Sequence, residues 1–120
     1  MPQAEVVFYQ DGEEVLFYRW LDSLPVKVQA KCLSLVRLLR SLGHELRRPM
    51  ADFLRDGIYE LRPTYQGVHY RILYFFSGKN VVVISHGLTK ESEVSDAEIN
   101  RAIERKRKYG ANPKAHGWKG

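Results

Sequence analysis

The sequence predicts an α+β fold, a mainly antiparallel sheet with a helical hairpin packed on one face, and three features carry that prediction. Between Asp56 and Glu91 the chain reads DGIYELRPTYQGVHYRILYFFSGKNVVVISHGLTKE, three strand-like runs separated by tight turns. Upstream, apolar residues recur at helical spacing in two successive segments. Downstream, Ser95 and Glu98 spell a helix start.

Residues Glu5 to Tyr9 form a short β-branched and aromatic run, read as a first strand. Asp11 with Glu14 looks like a capping box, so a helix is expected to open at Asp11, with Leu16, Trp20 and Leu24 along its apolar side. Pro25 suits the first turn of a second helix. From Val26 to Leu42, the positions Val28, Cys32, Leu35, Leu39 and Leu42 step by four and three along one face, and Gly43 is the expected stop. Trp20 and the leucines read as core. The segment from Gly43 to Gly57, with His44, Arg47, Arg48, Pro49 and Arg55, reads as the main irregular stretch, a charged loop whose basicity also fits a phosphate-contacting rim.

Alternation assigns faces in the strand block. Tyr59 and Leu61 point one way, Glu60 and Arg62 the other. Tyr70, Ile72 and Tyr74 oppose His69, Arg71 and Leu73. If both apolar sets meet the helices, Glu60, Arg62, His69 and Arg71 converge on an uncovered face. An arginine inside a strand costs desolvation unless it meets solvent or a partner, so Arg62 and Arg71 suggest a surface that handles anions. A surface ion pair of Glu60 with either arginine, worth at most about 1 kcal/mol, explains the same residues without function. Val81 to Ile84 is apolar on both sides and reads as an interior strand, which leaves the direction of His86 open.

Ser95 is a good N-cap, Glu98 completes the box, and Val94 with Ile99 forms a hydrophobic staple. Ile99, Ala102 and Ile103 offer an inner stripe, while Arg101, Arg105, Lys106, Arg107 and Lys108 crowd the outside. The domain is expected to span residues 1–109, with a flexible tail at 110–120 in which Trp118 either stacks on a base or touches a neighbouring molecule.

A chain of 120 residues can bury roughly two thirds of its unfolded surface and needs no metal or disulfide to fold. A net charge of +5 and a pI near 9.4 favour polyanionic partners. The one cysteine, Cys32, cannot form an internal bridge and suggests a reducing compartment. No run approaches the roughly 18 apolar residues of a membrane span, and MPQAEVVF is not a leader, so a cytoplasmic, soluble protein is expected. Phosphate loops, dinucleotide fingerprints, metal-ligand spacings and internal repeats are missing from the sequence, which points to a site without metal or cofactor.

GIYELR, VHYRILYFF, VVVISHGLTKE and SDAEINRAIERKRKY, in that order and spacing, resemble the RelE/HigB-type toxins of bacterial toxin–antitoxin modules, in particular a phage-related HigB-like branch. The resemblance implies a β-α-α-β-β-β-α fold and a small endoribonuclease that cuts mRNA, typically on the translating ribosome. It also implies a neutralising antitoxin, expected to be a helix-turn-helix protein. By position, Arg62 matches a basic residue of the family's second strand, Arg71 its arginine in the YR strand, and Lys90 its basic residue after the last strand. Glu60 falls where members place a proton acceptor. Where some relatives carry a base-stacking tyrosine after that last basic position, this chain reads Glu93, Val94, Ser95.

Metal-free RNA cleavage needs a base for the 2′-hydroxyl, cations on the phosphorane and an acid for the leaving 5′-oxygen. Glu60 is the expected base, Arg62 and Arg71 the phosphate holders, and His86 or Lys90 the acid. Arg47, Arg48, Arg55, His69, Arg101 and Arg105 are expected to contact RNA. Two rival readings are a gyrase-inhibiting toxin of the same fold and an inactive relative kept for protein binding.

Overall fold

The computed structural model describes residues 3–90 and 93–119. Strand β1 (Glu5–Asp11) turns through Gly12, at φ 61°, into the short β2 (Glu14–Val15), and helices α1 (Leu16–Asp22) and α2 (Val26–Leu42) follow. After a 3-10 turn at Gly43–Glu45 come β3 (Ala51–Arg55), β4 (Ile58–Leu61), β5 (Thr64–Tyr65), β6 (Val68–Ser77) and β7 (Val81–Lys90). Helix α3 (Asp96–Ala111), helix α4 (Pro113–His116) and β8 (Gly117–Trp118) complete the fold. The strands form one sheet in the order β2-β1-β7-β6-β4-β3, with β5 on β6 and β8 on β1. Every pairing is antiparallel except that of β1 with β7. This is the α+β architecture expected.

Two apolar layers hold it together. On one face Phe17 and Leu21 of α1 and Val28, Cys32, Val36 and Leu39 of α2 pack on Leu61, Ile72, Tyr74, Val82 and Ile84. On the other, Ile99, Ala102 and Tyr109 of α3 pack on Ile58, Leu73, Phe75 and Val83. Because β6 and β7 are sandwiched between both layers, their sequences are apolar at successive positions instead of alternating. Burial of Cys32 pushes its thiol up to about 11, which suits an inert filler. Helix α2 runs over the expected residues and stops at Gly43, whose φ of 54° a side chain tolerates poorly.

Several expectations are corrected. Asp11 ends β1 instead of opening a helix, and α1 starts after Val15 with no side-chain cap. The supposed irregular segment contains β3, joined to β4 by Asp56 and Gly57 at φ 52° and 80°, the left-handed pair that a tight hairpin requires. Residues 111–118, expected as a structureless tail, complete α3 and form α4 and β8. Trp118 packs on Phe8 and Tyr18, with centroids 6.0 and 5.4 Å away, and is not presented as a free stacking platform. The sheet face opposite the hairpin is not left uncovered either, since α3 spans part of it. No helix among the described residues is long and apolar enough to cross a membrane.

Gly87 faces Ile72 across β6 and β7, on the hairpin side, and a β-carbon there would run into the Trp20 indole. A glycine in a strand interior marks such a close approach. Gly87→Ala should therefore destabilise the fold by roughly 1–3 kcal/mol through overpacking. Urea unfolding monitored by tryptophan fluorescence gives the number, and an unchanged midpoint would contradict this seating of α1.

Candidate active site

Glu60 and Arg71 stand on neighbouring strands, β4 and β6, on the face that α3 covers only in part. Their register follows from Leu61 pairing with Ile72 in the hairpin-side core, which obliges the intervening side chains to the opposite face. Arg71 Nε lies 3.4 Å from Glu60 Oε1, and its Nη1 donates to the Tyr70 carbonyl at 2.7 Å. Arg62 Nη1 donates to Glu60 Oε2 at 3.0 Å. Glu60 is only 5% exposed and Arg71 7%, so the expected solvent-facing arginine is a buried one. Arg62, with a side chain 33% exposed, reaches the opening.

Burial pushes the Glu60 carboxyl above the ordinary carboxylate range, while Arg71 and Arg62 pull it down. The same burial pulls Arg71 down and Glu60 pushes it up. A carboxylate kept from water in this way is a stronger proton acceptor than an exposed one.

A cleft of ≈ 610 Å³ opens over these groups. Of the expected residues, Arg48, Arg55, Glu60, Arg62, His69 and Arg71 line it. His69 sits with Nδ1 3.3 Å from Thr64 Oγ1. Arg47 belongs to a second cleft on the other side of β3. Arg101 pairs with Glu98 on α3 at 3.0 Å and Arg105 points inward; neither lines the cleft. The backbone of Lys90 pairs with that of His69, which brings the end of β7 beside the cleft. The Lys90 side chain and Glu91 lie outside the described residues.

Asp52, not anticipated, is the second carboxylate here. It sits across from Glu60 in the β3–β4 ladder and accepts from Arg48 Nε and Nη2 at 3.0 and 2.7 Å, with Arg62 Nη1 3.8 Å away. The bond from Arg48 holds Asp52 below the usual carboxylate range. The sequence did carry a signal for it: ADFLR–DG–IYEL is a two-residue hairpin pattern, and reading it would have placed Asp52 opposite Glu60. Among the described lining residues, Arg48, Arg55, Arg62 and Arg71 are matched by Asp52, Glu60, Glu93 and Asp96, so the cleft is internally neutralised and not a bare basic patch. None of the described residues form a group of three or more His, Cys, Asp or Glu placed to hold a metal ion.

His86 is elsewhere. A bulge in β7 opposite Leu73 and Tyr74 turns Ser85 and His86 toward α3. There Nε2 lies 2.9 Å from Glu98 Oε1, and Nδ1 lies 2.8 Å from both Ser85 Oγ and Arg105 Nη1. Since a guanidinium can only donate, Nδ1 accepts and Nε2 carries the proton to Glu98, a neutral tautomer. Glu98 is thereby diverted from the capping box: Ser95 Oγ accepts the Glu98 N–H at 3.3 Å, but the Glu98 carboxylate serves His86 and Arg101.

A family model described as Gp49, phage derived protein Gp49-like (DUF891), matches residues 19–107. None of the curated proteins matches the chain.

Burial pushes His86 below the ordinary imidazole range and Arg105 adds to this, against the opposing pull of Glu98. A histidine depressed in the folded state stabilises the fold fully above its unfolded value, about 6.5, and the contribution is lost as pH falls from there through the folded value. Melting temperature should accordingly drop on acidification below about pH 6.5, and His86→Gln should flatten that slope. Parallel profiles for parent and variant would show that His86 is not held neutral.

Proposed function

The chain belongs to the Gp49-like family of phage-derived proteins, a RelE/HigB-like toxin family of toxin–antitoxin systems, and we propose that it is an endoribonuclease that cuts mRNA on the ribosome and is neutralised by a cognate antitoxin. The observation that carries this reading is the buried Glu60 between Arg71 and Arg62 at the floor of an open cleft. Such a carboxylate needs a task that an exposed ion pair does not.

Glu60 takes the proton from a ribose 2′-hydroxyl, and the 2′-oxygen attacks the adjoining phosphorus. Arg62 and Arg71 stabilise charge on the phosphorane, for which a planar fork fits two oxygens. The bond from phosphorus to the 5′-oxygen then breaks, leaving a 2′,3′-cyclic phosphate, and an acid protonates the departing oxygen. His69, which lines the cleft with Glu60, is better placed for that step than His86, whose two ring nitrogens are engaged by Ser85, Glu98 and Arg105. The Asp52 hydrogen bond from Arg48 and its looser ion pair with Arg62 are the ones an incoming phosphate displaces.

Glu60→Gln keeps the shape and an acceptor while removing the base, so cleavage should fall by roughly 10²- to 10⁴-fold with RNA affinity retained. Arg62→Ala should cost about 10²- to 10³-fold. Arg71→Ala is a poorer probe, because stranding a buried carboxylate costs around 3–5 kcal/mol of stability; Arg71→Lys keeps the charge and should still cut slowly. Single-turnover cleavage with melting on each variant tests the assignment, and parental cutting by Glu60→Gln would remove Glu60 from the role of base.

Brief induction in bacteria should stop methionine incorporation before DNA synthesis, with new 5′ ends on transcripts in primer extension. DNA damage appearing first, with transcripts intact, would favour the gyrase-inhibiting alternative.

A further inference from the structure

The second cleft, ≈ 460 Å³, lies on the hairpin side of the sheet edge and meets the first at Arg48, Asp52 and Phe53. Its feature is Phe53, 52% exposed, on the edge strand β3. The cross-strand pairs place Asp52 with Glu60 on the catalytic face and Phe53 with Tyr59 on the opposite one. Behind Phe53 the rings are already stacked: Tyr59 meets it edge-on at 5.1 Å and lies against Tyr74 at 5.4 Å, and His44 lies on Phe76 at 3.6 Å. Arg47 and Arg48 supply positive charge, and Asp52, which bonds Arg48, is the carboxylate among the described lining residues. Aromatic faces beside arginines are the chemistry that holds an unstacked base and its phosphate. The two clefts are continuous, since Arg48, Asp52 and Phe53 line both, and among the described residues no further strand covers the outer side of β3.

We propose that this cleft holds an unstacked nucleobase of the RNA strand being cut, the strand passing over the edge of β3 at Arg48 so that one nucleotide stacks on Phe53 while its neighbour's phosphate lies at Arg62 and Arg71. The inference rests on the endoribonuclease reading and extends it to a second subsite. An acidic, apolar peptide would find less here, because flat rings with few enclosing aliphatic walls grip a base better than a branched side chain.

Two assays on the full chain test it. In the first, a short single-stranded RNA is titrated into the Glu60→Gln protein with Phe53 intact, changed to Ala, or changed to Trp. Loss of one stack should weaken binding about tenfold or more, Trp should restore it, and the salt dependence should stay unchanged because no phosphate contact is lost. In otherwise wild-type protein the loss should fall mainly on KM. In the second, AMP and UMP are titrated while the ring signals of Phe53 and Tyr59 are followed by NMR; shifts in the parent at both rings, with the Tyr59 shift lost in Phe53→Ala, support the site. If the protein cuts no RNA but these shifts appear, the catalytic reading falls and the base site stands. If cutting is normal and neither assay depends on Phe53, the base site falls alone. Should Phe53→Ala instead abolish neutralisation by the antitoxin with RNA affinity unchanged, the cleft belongs to a protein partner and the proposal is overturned.

Discussion

Strand β6 has to satisfy two demands along one length. From Leu73 to Phe75 it is covered on both faces, while at Arg71 one face passes beyond the cover of α3 and meets the cleft. Everything at the site follows from that change of environment. The hairpin-side core pins Leu61 to Ile72, the pleat then aims Glu60 and Arg71 the other way, and partial cover leaves them beside the cleft but too buried to be separately solvated. A one-residue slip of β4 on β6 would exchange Leu61 for Glu60 in the hairpin-side core, so the apolar core and the site select the same register.

The electrostatics differ from the simple picture of a basic protein seeking a polyanion. The chain is positive overall, but the cleft's arginines already have carboxylate partners. On the reading proposed above, a phosphate would enter by exchange with these carboxylates and not by filling an empty positive hole. Breaking the existing ion pairs would cost attraction, but the guanidinium groups are ordered beforehand, which would lower the entropy lost in the proposed binding of a phosphorane. The net positive charge of the chain is therefore carried by the rest of the surface, where it would supply any long-range pull on a polyanion.

Much of this was legible in the sequence, for physical reasons that also explain the exceptions. Helix α2 could be bounded to the residue because its stripe, its proline start and its glycine stop agree. Glu60, Arg62, His69 and Arg71 could be placed on one face because alternation survives in β4 and the first half of β6. Strand β3 was hidden by its charges: Asp52 and Arg55 look like loop residues until their partners Arg48, Asp56 and Asp96 are seen. The direction of His86 was beyond alternation because the bulge at Ser85 breaks the period of two. The α1 start misled because Asp11 and Glu14 have the spacing of a cap while Gly12 lets the chain turn as a hairpin instead. The C-terminal residues show no periodicity of their own, and they gain order from distant partners, β1 and Tyr18 of α1, which local sequence does not reveal.

The parallel pairing of β1 with β7 has a consequence for biogenesis. Glu5 to Phe8 align with Val81 to Ile84, and Phe8 and Tyr9 also pair with Trp118 and Gly117. Strand β1 must therefore wait for partners that lie far later in the chain, and this high contact order makes closure slow. Nascent chains expose the apolar edge of β1 throughout that interval, which makes them substrates for chaperones. The Glu60 cleft, whose strand β6 leans on β7 and thus on β1, reaches its final shape only once that long-range pairing has closed.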